Sequence, residues 1–145
     1  MTTLQELCLY LNGLLQSDTI NDYCKNGLQV EGSEKITKIA TAVSASLATI
    51  EEALALGVQA LIVHHGIFWN QDSHAITGVK RKKLALLLKH DISLIAYHLP
   101  LDIDQRYGNN WKAAKDLGLG SSSGPASVFG YFFALNTQIP SLTPN

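Results

Sequence analysis

The sequence predicts an α/β domain with a mixed, mostly parallel sheet flanked by helices. Three observations carry that expectation. Ala60-Leu61-Ile62-Val63 is an apolar run containing Ile and Val, the pattern of a central strand. Leu94-Ile95-Ala96, within Ser93 to Tyr97, is a second such run. Between and beside them lie helical stretches, so that strands alternate with helices as in βαβ units.

Each element has a local reason. Thr2 or Thr3 can cap a first helix running to about Leu15, with Glu6 in its first turn. Cys8 shares a stripe with Leu4, Leu11 and Leu15 and reads as a small core residue. Residues 17–26 are polar and turn-rich, and Cys24 in that stretch reads as free. Gly27-Leu28-Gln29-Val30 is short and extended, and Gly32 closes it. Lys35 to Val43 alternates at Ile36, Ile39 and Val43, which predicts a strand. Ser44 or Ser46 caps a helix over about 47–56 that ends at Gly57. The strand 59–65 follows, then a loop over 66–79, a helix over about 80–90 and the strand 93–97. A helix over about 109–117 ends at Gly118.

The character changes after Leu119. Gly120 to Pro125 predicts a flexible loop, and Val128 to Leu135 one more strand. The expected organisation is therefore residues 1–119 as an α/β unit and 120–145 as a loop, a strand and the beginning of something further.

Bulk properties narrow the function. At 145 residues the chain has the length of one domain. With 46% hydrophobic and 16% charged residues it has an ordinary globular composition. A net charge of −1 produces no global field favouring nucleic acid or an anionic membrane. Two cysteines outside any C-x-x-C pair suggest no disulfide framework, so a cytoplasmic location is expected. There is no signal-peptide pattern and no apolar stretch of membrane-spanning length.

The residues with chemistry lie at the ends of the two central strands. His64 and His65 close the first, just before Gly66, which permits a change of direction. Ligands in open α/β sheets bind at the carboxyl ends of strands. Taken alone, the pair has two readings: one packed and one exposed histidine, or the start of a metal or catalytic site. Neighbours on a regular strand face opposite ways. Both therefore join one site only if the chain turns, or if each binds a different metal of a pair. His98 closes the second strand and Asp102 follows it. Pro100 argues against a helix there, and an extended gap of four residues spans about 13 Å. Imidazole and carboxylate suit Zn, Mn or Fe. No H-x-x-x-E motif completes the set: Phe68, Trp69, Gly78, Leu94 and Asp102 stand four residues after the five histidines. Lys80-Arg81-Lys82-Lys83 reads as a solvated helix start or as an attractor of phosphate. Phe68 and Trp69 suit a pocket wall, a base-stacking surface or a packed loop. No P-loop, G-x-G-x-x-G or G-x-S-x-G motif occurs.

Three segments together resemble one family. They are Asp22-Tyr23-Cys24-Lys25-Asn26-Gly27-Leu28-Gln29-Val30-Glu31-Gly32, Leu61 to Trp69 with its double histidine, and Tyr97-His98-Leu99-Pro100-Leu101-Asp102 followed by Gly108-Asn109-Asn110. The family is the NIF-three-like group of dinuclear metal-centre proteins, whose bacterial YbgI-type members are known as GTP cyclohydrolase 1 type 2 homologues. The resemblance implies two divalent metal ions per subunit, held in part by His64, His65 and Asp102. It places His98 beside them as a ligand or proton-transfer residue. It also implies a ring-shaped homohexamer and a small-molecule substrate such as a nucleotide. The family's remaining ligands, a His and a Glu in H-x-x-x-E, have no counterpart here, so the chain resembles the first half of the family fold. Three functions follow as expectations: a metal-dependent hydrolase opening a purine-like ring, a metal-binding interaction or assembly protein without turnover, or an inactive partial chain.

Overall fold

The structure, a computed structural model, describes residues 1–117, 122–127 and 130–133. The chain divides into two compact units, Met1–Pro100 and Leu101–Asn145.

In the first unit, β1 (Thr2–Thr3) leads into α1 (Leu4–Leu15). Thr3 caps α1: its hydroxyl accepts from the Glu6 amide at 3.1 Å, and the Glu6 carboxylate accepts from the Thr3 amide at 2.8 Å. This is a full capping box. Leu4 and Leu15 of the predicted stripe are buried, whereas Cys8 is only half-buried. β2 (Gly27–Val30), β3 (Lys35–Ile36) and β4 (Ile39–Ser44) follow. Then come α2 (Leu47–Ala55), β5 (Ala60–His65), α3 (Gly78–Lys89) and β6 (Ser93–Ala96). The four-stranded sheet has the order β2-β6-β5-β4. β5 is parallel to both β4 and β6, and β2 joins antiparallel to β6. The mixed, mostly parallel sheet is therefore as the sequence predicts, with α2 and α3 as its crossover helices.

One apolar cluster holds these layers together. Ile50 and Ala53 of α2, Leu84 and Leu87 of α3, and Leu61, Val63, Leu94 and Ala96 of the sheet all belong to it. Burial of each large side chain in such a cluster contributes about 1.5–3 kcal/mol. The cluster includes Leu61 and Val63 of β5 and Leu94 and Ala96 of β6, whose carboxyl ends carry the candidate site.

Three expectations are corrected. The stretch Lys35 to Val43 is two strands in two sheets, because β3 pairs with β1 while β4 pairs with β5. The break lies at Thr37 and Lys38, whose amides donate to Gln59 Oε1 at 3.1 and 2.9 Å. Ile39 and Val43 lie 40% and 68% exposed, and the core takes Ala40 and Ala42 instead. Second, α4 (Leu99–Ile103) is helical despite Pro100. The proline occupies the first turn, where no intrahelical acceptor awaits its missing N–H. Third, Ser122–Ser127 is a strand, β7, rather than part of a flexible loop, and pairs antiparallel with β8 (Gly130–Phe133). β8 falls within the strand expected over 128–135, whose remaining residues lie outside the described residues. In the second unit α5 (Asn109–Asp116) matches the expected helix.

Among the described residues no helix is long and apolar enough to cross a membrane.

Candidate metal centre

The parallel pairing of β5 with β6 sets Val63 opposite Ala96. The residues beyond that pair, His64 and His65 on one strand and His98 after the other, therefore emerge at the same rim of the sheet. Ring centroids lie 4.5 Å apart for His64 and His65, 4.9 Å for His64 and His98, and 5.7 Å for His65 and His98. One potential ligand nitrogen from each lies within 4.8 Å of the other two. His64 and His65 are the last two residues of β5, beyond its final pair with β6, although His65 still pairs with Ser44 of β4.

Each imidazole is held through Nδ1. His64 Nδ1 lies 3.0 Å from the Tyr97 carbonyl oxygen, which can only accept, so Nδ1 carries the proton. His65 Nδ1 pairs with Ser44 Oγ at 2.9 Å, across the β4–β5 register. His98 Nδ1 lies 3.1 Å from Asp22 Oδ1. A donor at Nδ1 makes Nε2 the lone-pair nitrogen, which is how second-shell partners orient metal-binding histidines.

Asp22 is the residue that sequence reasoning missed in this role. Its side chain is only 1% exposed, and that of His98 is 9%. Besides His98, Oδ1 accepts from the Cys24 amide at 3.1 Å, while Oδ2 accepts from Asn26 Nδ2 and the Leu99 amide, both at 2.9 Å. Burial pushes the carboxyl upward, but the hydrogen bonds from Asn26, His98, Leu99 and Cys24 outweigh it and hold Asp22 below the usual carboxylate range. Asn26 also accepts from the His98 amide at 2.8 Å. The available local signal was Asp22-Tyr23-Cys24: an aspartate accepting from the amide two residues on is an Asx turn.

Cys24 is a free thiol, as expected, and it is buried. Burial, with a smaller contribution from the Asp22 charge, pushes its thiol up to about 11. Gly66 follows the last residue of β5 and also makes room for a distant side chain. A Cβ there would stand 2.3 Å from Gln29 Oε1, which accepts from the Ile67 amide at 2.7 Å. The glycine lets Gln29 clamp the chain just beyond the two histidines. Of the two aromatics, Phe68 packs against the core beneath Lys80, whose Nζ is 5.1 Å from the ring centroid. Trp69 stands at the site, 5.1 Å from His98 and 6.1 Å from His65.

Asp102 belongs to the second unit. Its Oδ1 accepts from Asn109 Nδ2 at 3.0 Å, and its carbonyl from Asn110 Nδ2 at 3.2 Å. The histidine group by itself consists of His64, His65 and His98.

Known proteins resemble the chain over most of its length. The family model of Duf34/NIF3 (NGG1p interacting factor 3) matches residues 2–139. The GTP cyclohydrolase 1 type 2 homolog of Vibrio cholerae is 47% identical over 128 residues, covering 84% of this chain and 51% of its own. That of Escherichia coli is 50% identical over 114 residues, covering 79% and 46%. The solved structure of protein ybgI, of unknown function, superposes with a TM-score of 0.88 at 43% identity, over 94% of this chain and 55% of that one. Reduced HcgD from Methanocaldococcus jannaschii gives a TM-score of 0.78 at 29% identity, over 88% and 51%. The chain thus spans about half the length of the curated relatives it matches.

Proposed function

The chain belongs to the Duf34/NIF3 family, and on that premise we propose that His64, His65 and His98 take part in a metal centre serving a hydrolase that acts on a nucleotide or related ring substrate. The observation that carries this reading is the convergence of three imidazole nitrogens within 4.8 Å, each ring held through Nδ1. Imidazole donors of this kind suit Zn or Fe, and together with the Asp102 carboxylate also Mn; the span suits one ion or a close pair. Asp102 enters the proposal on the family resemblance alone, as does the number of ions, two.

A metal bound there would act as a Lewis acid and make water nucleophilic near neutral pH. The chain's own residues would do the rest. His64 and His65 hold their rings at the rim of the sheet. The Asp22 carboxylate accepts from His98 Nδ1, which leaves Nε2 as a ligand or as the nitrogen that handles a proton. Trp69 and Tyr23 flank that imidazole edge-on at 5.1 Å and limit its contact with bulk water.

The hydrolase reading is further supported by what the similar V. cholerae and E. coli proteins are named for. A cytoplasmic location and a homohexamer belong to the same proposal. The test begins with metal content. Purified wild-type protein is expected to retain Zn, Mn or Fe through gel filtration, and His64→Ala to lose it at least tenfold by elemental analysis; unchanged content in that variant would remove His64 from the centre. Release of a ring-opened product from guanosine triphosphate or a related substrate then tests hydrolysis. Metal binding without turnover would favour the interaction or assembly function instead.

A further inference from the structure

We propose that Tyr97 is a positioning residue for the histidine group: its side chain, bolted to α1 through Asn12, fixes the one peptide unit that holds both His64 and His98. This role deepens the metal-centre reading and rests on it for the metal, whereas the orientation of the His64 ring can be read in metal-free protein.

The peptide joining Tyr97 to His98 lies where the chain leaves β6. The Tyr97 amide donates to the Val63 carbonyl at 3.0 Å, which ties it to β5. From there side chains take over. The Tyr97 carbonyl accepts from His64 Nδ1 at 3.0 Å, and the His98 amide donates to Asn26 Oδ1 at 2.8 Å. That carbonyl and that N–H belong to one planar unit and point in opposite directions. Any rotation of the plane therefore displaces the acceptor of His64 and the backbone of His98 together. Asn26 Nδ2 in turn donates to Asp22, the partner of His98 Nδ1.

The Tyr97 side chain secures this plane from the far side. It is 2% exposed. Its hydroxyl donates to Asn12 Oδ1 at 2.6 Å, at the short end for such bonds. Ser17 Oγ donates to the same oxygen at 3.2 Å. Burial, with smaller contributions from Cys8 and Asp18, pushes the phenol above its usual range, so the hydroxyl stays a donor at neutral pH. Gly27 leaves room for Asn12: a Cβ there would stand 3.3 Å from Oδ1, and φ is +85°. Tyrosine turns about only two side-chain torsions, so pinning its hydroxyl also pins its Cα and the peptide that follows. A phenylalanine at this position would fill the same space without the bond, which separates pinning from packing.

Two measurements test this: histidine nitrogen-15 NMR of metal-free protein, with the His64 signals identified by their loss in His64→Gln, and zinc affinity by competition with a chromophoric chelator. Wild-type His64 is expected as a single Nδ1–H tautomer. Tyr97→Phe should mix the two tautomers and weaken zinc about tenfold, the lower end of what losing an outer-shell partner costs. Asn12→Ala should do the same, and the two substitutions together no more than either alone, because both remove one bond. Ile50→Val trims the core cluster without touching these residues and should leave both readings at wild type. Equal changes in Ile50→Val would reduce Tyr97 to a packing residue and overturn the proposal, as would wild-type tautomer and zinc affinity in Tyr97→Phe. Should Tyr97→Phe fail to fold, Asn12→Ala decides by the same two readings. If the wild type takes up no zinc, the metal-centre reading fails and the tautomer alone judges Tyr97. Zinc uptake by the wild type with an unchanged tautomer in both variants defeats the role of Tyr97 and leaves the metal centre standing.

Discussion

Asp22 illustrates how one buried carboxylate organises a site. It accepts four hydrogen bonds, from two backbone amides, Asn26 and His98. Asp22→Ala strands all four donors, and removing a buried charged partner of this kind costs about 3 kcal/mol. The expected result is a lower urea midpoint together with metal affinity reduced about 10–100-fold, the usual effect of losing a second-shell partner. Asp22→Asn keeps the shape but loses the charge, so it should recover stability more than metal affinity; metal binding equal to wild type would show that the charge on Asp22 is dispensable. The pH dependence follows from the depressed carboxyl. Its contribution to stability is fully present above the ordinary value of 3.8 and is lost as pH falls through the lower folded-state value. Acid unfolding curves should therefore drop below about pH 4, less steeply in Asp22→Asn. His64, His65 and His98 were legible in the sequence because each directly follows an apolar strand. The role of Asp22 was not, because its partners His98 and Leu99 lie 76 and 77 positions away.

At the scale of elements, what was read correctly is what local pattern encodes. The Thr3 cap, the strands β5 and β6 and the helices between them carry period, β-branched content or capping chemistry. The misreadings have a common cause in contacts from elsewhere. Alternation at Ile36, Ile39 and Val43 implied one strand, but the Gln59 side chain takes the amides at Thr37 and Lys38 out of the ladder. Pro100 argued against a helix, yet it falls in the first turn, where its missing N–H has no acceptor to lose, and the unpaired Leu99 amide at the helix start donates to Asp22. The turn after β5 depends on the Gln29 clamp. Gly66→Ala would drive a Cβ to 2.3 Å from Gln29 Oε1, and forced overpacking of this kind costs about 1–3 kcal/mol. Chemical denaturation should show that loss; Gly66→Ala combined with Gln29→Ala, which removes the clash, should not repeat the full strain, and simple addition of the two effects would discount the clamp.

For the whole molecule, a net charge of −1 and an apolar cluster spanning sheet and crossover helices describe a chain whose chemistry is concentrated at one sheet rim rather than spread over a charged surface. If that rim holds a metal, the metal stabilises the folded chain by mass action, about 2.7 kcal/mol at a hundredfold excess over its Kd. Chelation should lower the Tm of the wild type and leave that of His64→Ala unmoved; a wild-type Tm indifferent to chelator and to added Zn, Mn or Fe would argue against a resident ion. The sequence by itself determined the fold class, the two neighbouring parallel strands and the three histidines at their ends, because periodicity and residue type act over a few positions and are written in order along the chain. Only the tertiary structure decided that Asp22, Ser44 and the Tyr97 carbonyl orient these histidines, and that Trp69 rather than Phe68 stands beside them. Those outcomes depend on which distant segments meet, and packing between segments leaves no local pattern in either one.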